Sequence, residues 1–148
     1  KKCKNILRIK MIDFFSETEF NLQNSQEVAS WISAIILNEN FEEGELSYIF
    51  CDDEYLHKLN VEFLKHDTLT DIISFDNSLG NQINGDIFIS VERVKENASS
   101  FNTTFKNELH RVIIHGVLHY CGYNDKTKKD ADLMRTKEDA ALSLRNFL

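Results

Sequence analysis

The strongest constraint on the fold is the order in which short β-rich runs and segments with helical spacing follow one another. Apolar side chains recur at helical spacing in three long segments, while four short runs are typical of strands. The predicted elements, in chain order, are residues 20–22 (strand), 25–38 (helix), 46–51 (strand), 53–63 (helix), 71–75 and 86–90 (strands), and 91–98, 104–120 and 130–148 (helices). This order favours an α+β or α/β fold in which a small mixed sheet of about four strands packs with helices.

Local signals support several of these boundaries. Ser25 is the expected N-cap of the first helix, and Asp52 or Asp53 that of the second. Residues 76–85 are rich in Asn, Ser and Gly, which predicts a hairpin or irregular loop between two neighbouring strands.

The length and composition indicate one packed domain. The chain has 148 residues, 42% of them hydrophobic, and shows neither an internal repeat nor a linker. We therefore expect a single domain over residues 1–148. The basic residues at positions 1–10 form either a solvated segment or an extension upstream of the domain.

Cysteine usage and hydropathy bear on the compartment. The three cysteines have no C-x-x-C spacing and no signal-like apolar run precedes them, so we expect a reduced cytoplasmic setting. No apolar stretch approaches the roughly 20 residues that span a bilayer, since the longest, residues 31–37, is interrupted by Ser33. We expect no membrane partner.

The formal net charge of −7 argues against a protein that coats nucleic acid through bulk electrostatics. The distribution of charge is more informative, because Lys126, Lys128 and Lys129 directly follow the candidate metal site described next. These lysines are either a solvated surface run or part of a substrate-binding surface.

Two histidines on the predicted helix 104–120 carry the chemistry. His115 and His119 are four residues apart, so both rings lie on one helix face within reach of one ion. Gly122 can end the helix in a left-handed turn, which returns the chain and brings Asp125 back toward the imidazoles. The sequence thus predicts a metal site of His115, His119 and Asp125 at the end of a central helix; the alternative is two buried histidines satisfied by hydrogen bonds.

Three nitrogen and oxygen ligands leave a coordination position open, which is typical of catalytic rather than structural zinc. Such a zinc ion lowers the pKa of a coordinated water toward about 7 and acts as a Lewis acid. Nickel or iron suits the same ligands. Zinc proteases carry Glu directly after the first histidine, but this chain has Gly116, which argues against a protease.

The remaining candidate ligands are expected to be structural. Cys121 points away from the His119 face of a helix, and His110 is off that face as well. His57 and His66 are too remote in sequence to assign by spacing.

The run H-G-V-L-H-Y-C-G-Y at residues 115–123 closely resembles the signature of the YbeY family of metal-dependent endoribonucleases. The resemblance extends upstream through Leu59-Asn60, the segment T-D-I-I-S-F at 70–75 and the segment G-D-I at 85–87. The resemblance implies a small α/β fold with a zinc-binding cleft. It also implies cleavage of single-stranded RNA in ribosomal RNA maturation and ribosome quality control. The implied partner is the small ribosomal subunit, and the implied substrate is the 3′ end of its RNA.

Residue by residue, His115 and His119 match the first two metal ligands of the family, whereas Asp125 stands where many members carry a third histidine. The family usually has Arg at the position of Leu64, and Lys65, Arg93 or Arg111 is expected to supply the missing cation. These comparisons make Asp71, Lys65 and Arg111 further catalytic candidates.

On the same resemblance, Asp71 and Asp86 are expected to support the cleft rather than bind metal. Two other hypotheses stay open: a ribosome-assembly or RNA-binding factor with a structural metal, and a metallohydrolase acting on another phosphate or amide substrate.

Overall fold

The computed structural model describes residues 11–148 and contains four strands and five helices. In chain order they are β1 (Ile12–Ser16), α1 (Ser25–Asn38), β2 (Glu42–Cys51), α2 (Asp53–Leu64), β3 (Ile72–Asp76), β4 (Gln82–Ser90), α3 (Val91–Ser100), α4 (Phe105–Tyr120) and α5 (Lys128–Ser143). The predicted class, a small mixed sheet packed with helices, is confirmed.

The four strands form one sheet in the order β1-β2-β4-β3. β1 runs parallel to β2 and β2 parallel to β4, whereas β3 and β4 form an antiparallel hairpin. The parallel pairs require crossovers, which α1 and α2 with the hairpin provide. The segment 76–85 joins neighbouring strands, as its composition predicted, but the connection itself is shorter, residues 77–81, because β3 runs to Asp76 and β4 begins at Gln82.

The main core lies on the face of the sheet that α4 covers. Tyr48 and Phe50 of β2 and Ile87 of β4 are fully buried there, and the Tyr48 hydroxyl donates to the Ile113 carbonyl at 2.9 Å. Strand residues of the opposite parity face the other way. On that second face α2 packs over a smaller cluster, and its buried members are Cys51, Leu56 and Ile73.

The prediction for the first strand was wrong. Residues 20–22 are not a strand; Phe20 instead packs against Phe50, with ring centroids 5.0 Å apart. The first strand is Ile12–Ser16, which pairs with residues 46–50 of β2. Its partner lies more than 30 residues along the chain, so the pairing leaves no local signal.

Several helix boundaries also differ from the prediction, including the end of α3 at Ser100 rather than at residue 98. Asn24, not Ser25, caps α1, and its backbone is left-handed with a φ of 56°. α5 begins at Lys128, two residues before the predicted start, because the Thr127 side chain caps it by accepting from the Asp130 amide at 3.0 Å. It ends at Ser143 rather than at the chain terminus. The basic run at positions 1–10 lies outside the described residues.

Within residues 11–148, no helix combines the length and the apolar character needed to cross a bilayer.

Candidate functional site

A cleft of about 460 Å³ opens where α4, α5 and the start of β3 meet, and the loop between α4 and α5 closes one side. Both predicted histidines and Asp125 face it. Its lining residues are Thr70, Asp71, Ile72, Ser74, Glu108, Arg111, Val112, His115, Gly116, His119, Asp125, Arg135 and Glu138.

Gly116 lets α4 approach the sheet closely next to this cleft. A Cβ atom at this position would lie 3.0 Å from Cδ1 of Ile87 and 3.2 Å from Cδ1 of Ile72, which is tighter than ordinary packing. The residue that the sequence used to argue against a protease is therefore also a packing position between helix and sheet.

The end of α4 turns the chain back toward the histidines. Gly122 has a φ of 102°, and the Tyr123 amide donates to the Leu118 carbonyl at 3.1 Å while the Gly122 amide donates to the His119 carbonyl at 3.0 Å. This is the Schellman pattern of a helix that ends at a glycine. The returning chain places Asp125 Oδ2 3.5 Å from His115 Nε2, as the spacing predicted.

Hydrogen bonds set the tautomer of both histidines. His115 Nδ1 lies 2.7 Å from Glu138 Oε2, and His119 Nδ1 lies 3.2 Å from the Tyr123 carbonyl oxygen. Because a carbonyl only accepts and the carboxylate accepts in its ionised form, each Nδ1 carries the proton and donates it. In the neutral ring each Nε2 is therefore left with the lone pair that a metal ion binds.

Glu138 connects His115 to a chain of charged groups. The residue is 6% exposed, and its Oε1 accepts from Arg111 Nη1 at 2.9 Å. The other terminal nitrogen of Arg111 donates to Asp139 Oδ1 at 2.7 Å. Both carboxylate oxygens of Glu138 are thus occupied, so its orientation toward His115 is tightly constrained.

The environment favours a positive charge on His115. Burial by itself lowers its pKa, but the hydrogen bond and charge of Glu138, with the charges of Asp125 and Asp71, outweigh burial and raise the pKa above its usual value. The same attraction favours a metal cation at this ring.

Two further carboxyl groups in the cleft hold their protons more tightly than usual. Burial raises the pKa of Asp71, although the nearby charge of His115 opposes the shift. Burial also raises the pKa of Glu108, followed by the charge of Asp71, with Arg111 and Arg135 opposing. Glu108 is 5% exposed although it faces the cleft.

The fit of the predicted ligands to a metal can be tested on this geometry. Two ligands of one tetrahedral zinc, each about 2.1 Å from the ion, lie roughly 3.4 Å apart. The distance of 3.5 Å between His115 Nε2 and Asp125 Oδ2 agrees with this value. His119 follows one helical turn later, roughly 5–6 Å away at Cβ. Among residues 11–148 no group of three or more His, Cys, Asp or Glu side chains is placed to hold a metal ion as it stands, so a shared ion would require side chains to rotate.

Several other predicted residues do not reach the cleft. Lys65 is exposed and caps α2 in a left-handed conformation, and Arg93 donates to Asp53 Oδ2 at 2.7 Å instead. Asp86 neighbours Ile87 in β4 and so points to the opposite face of the sheet from α4. Arg111 does line the cleft, but its two terminal nitrogens are bound to carboxylates.

The residues expected to be structural are so placed. His110 is buried, and the thiol of Cys121 has a pKa raised to about 12, by burial first and then by the charge of Glu39. A thiol with so high a pKa stays protonated at neutral pH.

Sequence reasoning missed Glu138, Glu108 and Arg135. A signal existed for Glu138, because it interrupts the apolar stripe of α5 between Met134 and the buried pair at positions 141 and 142. A charged residue on the buried face of a helix usually has a specific partner. That the partner is His115 could not be read from the sequence.

Comparison with known proteins identifies the family. The family model described as Endoribonuclease YbeY matches residues 11–146. The chain belongs to this family. The resemblance carried by residues 115–123 is therefore confirmed.

Individual YbeY relatives are similar over most of their length. Proteins named endoribonuclease YbeY from Flavobacterium johnsoniae and Cytophaga hutchinsonii are 62% identical over 134 residues and 51% identical over 143 residues. The alignments cover 90% and 95% of this chain, and 96% and 100% of the relatives. The solution structure of a Thermotoga maritima protein is similar with a TM-score of 0.63 and 27% identity, covering 90% of this chain and 87% of that one.

Proposed function

We propose that this protein is an endoribonuclease that cuts single-stranded RNA, and that His115, His119 and Asp125 hold one zinc ion on which cleavage depends. Membership of a family named for endoribonuclease activity supports the reaction class. The observation that carries the metal proposal is the pairing of two histidines, each left with a free Nε2, with a carboxylate 3.5 Å from the first.

When bound, zinc would act as a Lewis acid on the phosphate and would lower the pKa of a water molecule. An acidic third ligand adds negative charge to the site, so we expect a smaller effect on that pKa than three histidines would have.

The protein's own groups prepare the site for this chemistry. Glu138 accepts a hydrogen bond from the Nδ1–H group of His115 and so keeps the Nε2 lone pair directed at the position near Asp125. The Tyr123 carbonyl does the same for His119. Carboxylate partners of this kind orient a histidine ligand and raise its basicity.

Asp71 and Glu108 supply the proton-transfer groups in this proposal. Both face the cleft and both have a raised pKa, so one of them can carry a proton to the leaving oxygen when a phosphodiester bond breaks. The bonds made by Arg111 give it a supporting role in holding Glu138.

Small-subunit ribosomal RNA is the substrate proposed on the family resemblance, with the small ribosomal subunit as partner and the cytoplasm as the location. A phosphate and the adjoining riboses must reach the histidines at the end of α4, and the cleft beside them is open to solvent. The proposed action is maturation of the RNA 3′ end.

The test is cleavage of matched single-stranded and duplex RNA by metal-loaded protein and by His119→Ala, with the zinc content of both. His57→Ala is the matched control, since His57 is paired with Asp67 at 2.7 Å and does not line the cleft. We expect wild type and the control to cut the single strand, and His119→Ala to lose both cleavage and zinc.

Cleavage by His119→Ala at the wild-type rate would assign the activity to a contaminant and refute the proposal. If zinc is bound but RNA is not cut, while ribosomal subunits still bind, the protein is an assembly factor instead. Undiminished zinc affinity in Asp125→Ala would exclude that carboxylate as a ligand.

A further inference from the structure

The cleft is lined by more negative than positive side chains. Among the described residues it has four carboxyl groups and two guanidinium groups beside its two histidines, and three carboxyl groups remain negative when Asp71 or Glu108 carries a proton; the groups are Asp71, Glu108, Asp125, Glu138, Arg111 and Arg135. A phosphate entering such a cleft is repelled unless a cation is available to meet it. Bound zinc would neutralise part of this charge, but a flexible strand also needs a contact that positions its backbone.

Arg111 cannot provide this contact without losing existing partners. Its side chain is only 14% exposed, and it donates to Glu138 at 2.9 Å and to Asp139 at 2.7 Å. Turning the guanidinium toward a phosphate would leave Glu138 buried without its ion pair, which is energetically costly.

The other cations considered from the sequence are placed elsewhere. Arg93 is paired with Asp53 at 2.7 Å, Lys128 is paired with Asp132 at 3.1 Å, and neither lines the cleft. Lys65 caps α2 outside the cleft.

Arg135 differs from all of these. It lies on α5 one turn before Glu138, is exposed, and lines the cleft. Within the described part of the chain it makes neither an ion pair nor a side-chain hydrogen bond. It is also close enough to Glu108 for its charge to oppose the rise in the pKa of that carboxyl. Its guanidinium is therefore at the cleft and available.

We propose that Arg135 binds a backbone phosphate of the RNA in the cleft. The inference rests on the proposed function. A guanidinium suits this role because its planar fork donates two parallel hydrogen bonds to phosphate oxygens. The helix that orients His115 through Glu138 would then also position the substrate.

The experiment measures binding of a single-stranded, fully 2′-O-methylated RNA, whose integrity is checked on a gel after each titration. Wild type is compared with Arg135→Gln, Arg135→Lys, Lys126→Gln and Lys129→Gln at several salt concentrations. Lys129 is the matched control, because it is an exposed cation on the same helix that does not line the cleft.

We expect Arg135→Gln to weaken binding roughly tenfold and to reduce the slope of log affinity against log salt by about 0.7, the value for one lost phosphate contact on a single strand. Arg135→Lys should keep the salt slope but bind with intermediate affinity, since it retains the charge and loses the fork. Lys129→Gln should match wild type.

Unchanged affinity and salt slope in Arg135→Gln would overturn the inference, as would failure of the wild type to bind the RNA. A larger effect from Lys126→Gln, in the loop beside Asp125, would place the phosphate on that loop and also overturn it. The proposed function fails separately: if wild type does not cut RNA but binding still depends on Arg135, only the catalytic proposal is lost.

Discussion

His110 and His115 lie five residues apart on α4, yet the structure gives them opposite chemistry. His110 is 4% exposed, and its Nδ1 accepts from Arg145 Nη1 at 2.9 Å. The pKa of His110 is lowered to about 4, first by burial and then by the charges of Arg145 and Lys106. His115 instead donates from Nδ1 to Glu138, and its pKa is raised.

The difference comes from the C-terminal part of the chain. Arg145 and Glu138 are seven residues apart, and they bring opposite charges to two different histidines of α4. A guanidinium makes one histidine a neutral acceptor that joins the core. A carboxylate makes the other a donor whose second nitrogen faces the cleft. The identity of the residue therefore matters less than the charge packed against it.

The largest expected effect separates the two histidines by function. His115→Ala should lose zinc and reduce RNA cleavage to background, because it removes a proposed ligand, whereas His110→Gln should retain zinc and cleavage at neutral pH. Metal analysis and a single-turnover cleavage assay measure both quantities. Equal loss of zinc in the two variants would show that His110 is not merely structural.

The next effect concerns stability against pH. The folded pKa of His110, about 4, lies below its ordinary 6.5, so the unfolded chain binds the proton first as the pH falls. The stability that the folded protein keeps while His110 is neutral in both states is complete above pH 6.5 and is lost as the pH falls from about 6.5 to 4. It amounts to about 3 kcal/mol in the free energy of unfolding.

Urea unfolding of wild type and His110→Gln measures this contribution as the difference between the two proteins at each pH. The difference in favour of wild type should shrink by about 3 kcal/mol from pH 7 to pH 4. A constant difference would mean that His110 is not neutral in the folded state.

A smaller effect, on zinc affinity, is expected when the hydrogen bond between Glu138 and His115 is weakened. Glu138→Gln keeps the shape of the side chain but weakens its acceptor, so zinc affinity should fall roughly 10- to 100-fold. Cobalt substitution gives an absorption spectrum that reports the ligand geometry independently of activity. Asp139→Asn is the control, because Asp139 also binds Arg111 but is 60% exposed and does not contact His115. Equal losses in both variants would assign the effect to Arg111.

The smallest effect is expected at Gly116, next to His115. Gly116→Ala places a methyl group about where Ile87 and Ile72 already pack, and overpacking of this kind should reduce the free energy of unfolding by about 1 kcal/mol. Thermal unfolding measures the change. A gain in stability, as expected for a glycine in an open helix position, would show that α4 does not need this close approach.

Sequence reasoning recovered the parts of the site that are local in the chain. The spacing of His115 and His119, the glycine that ends α4 and the return of Asp125 all lie within eleven residues, where helix geometry and one left-handed turn determine the path. The order of the elements was predicted for the same reason, except for β1, whose strand character depends on pairing with β2.

The rest could not be predicted because it depends on contacts between distant segments. Glu138 reaches His115 across 23 positions, and Arg145 reaches His110 across 35. Arg111 was a reasonable candidate for a free cation until the fold paired it with two carboxylates, which leaves that role to Arg135.

By itself, the sequence determined the class of fold, the family and the two histidines with their returning aspartate, because repeating patterns and short-range turns are properties of the chain. Only the tertiary structure decided which nitrogen of each histidine carries the proton, which carboxylates stay buried and which arginine remains available. Those properties depend on burial and on the charge of the nearest neighbours, and the packing of α5 against α4 supplies both.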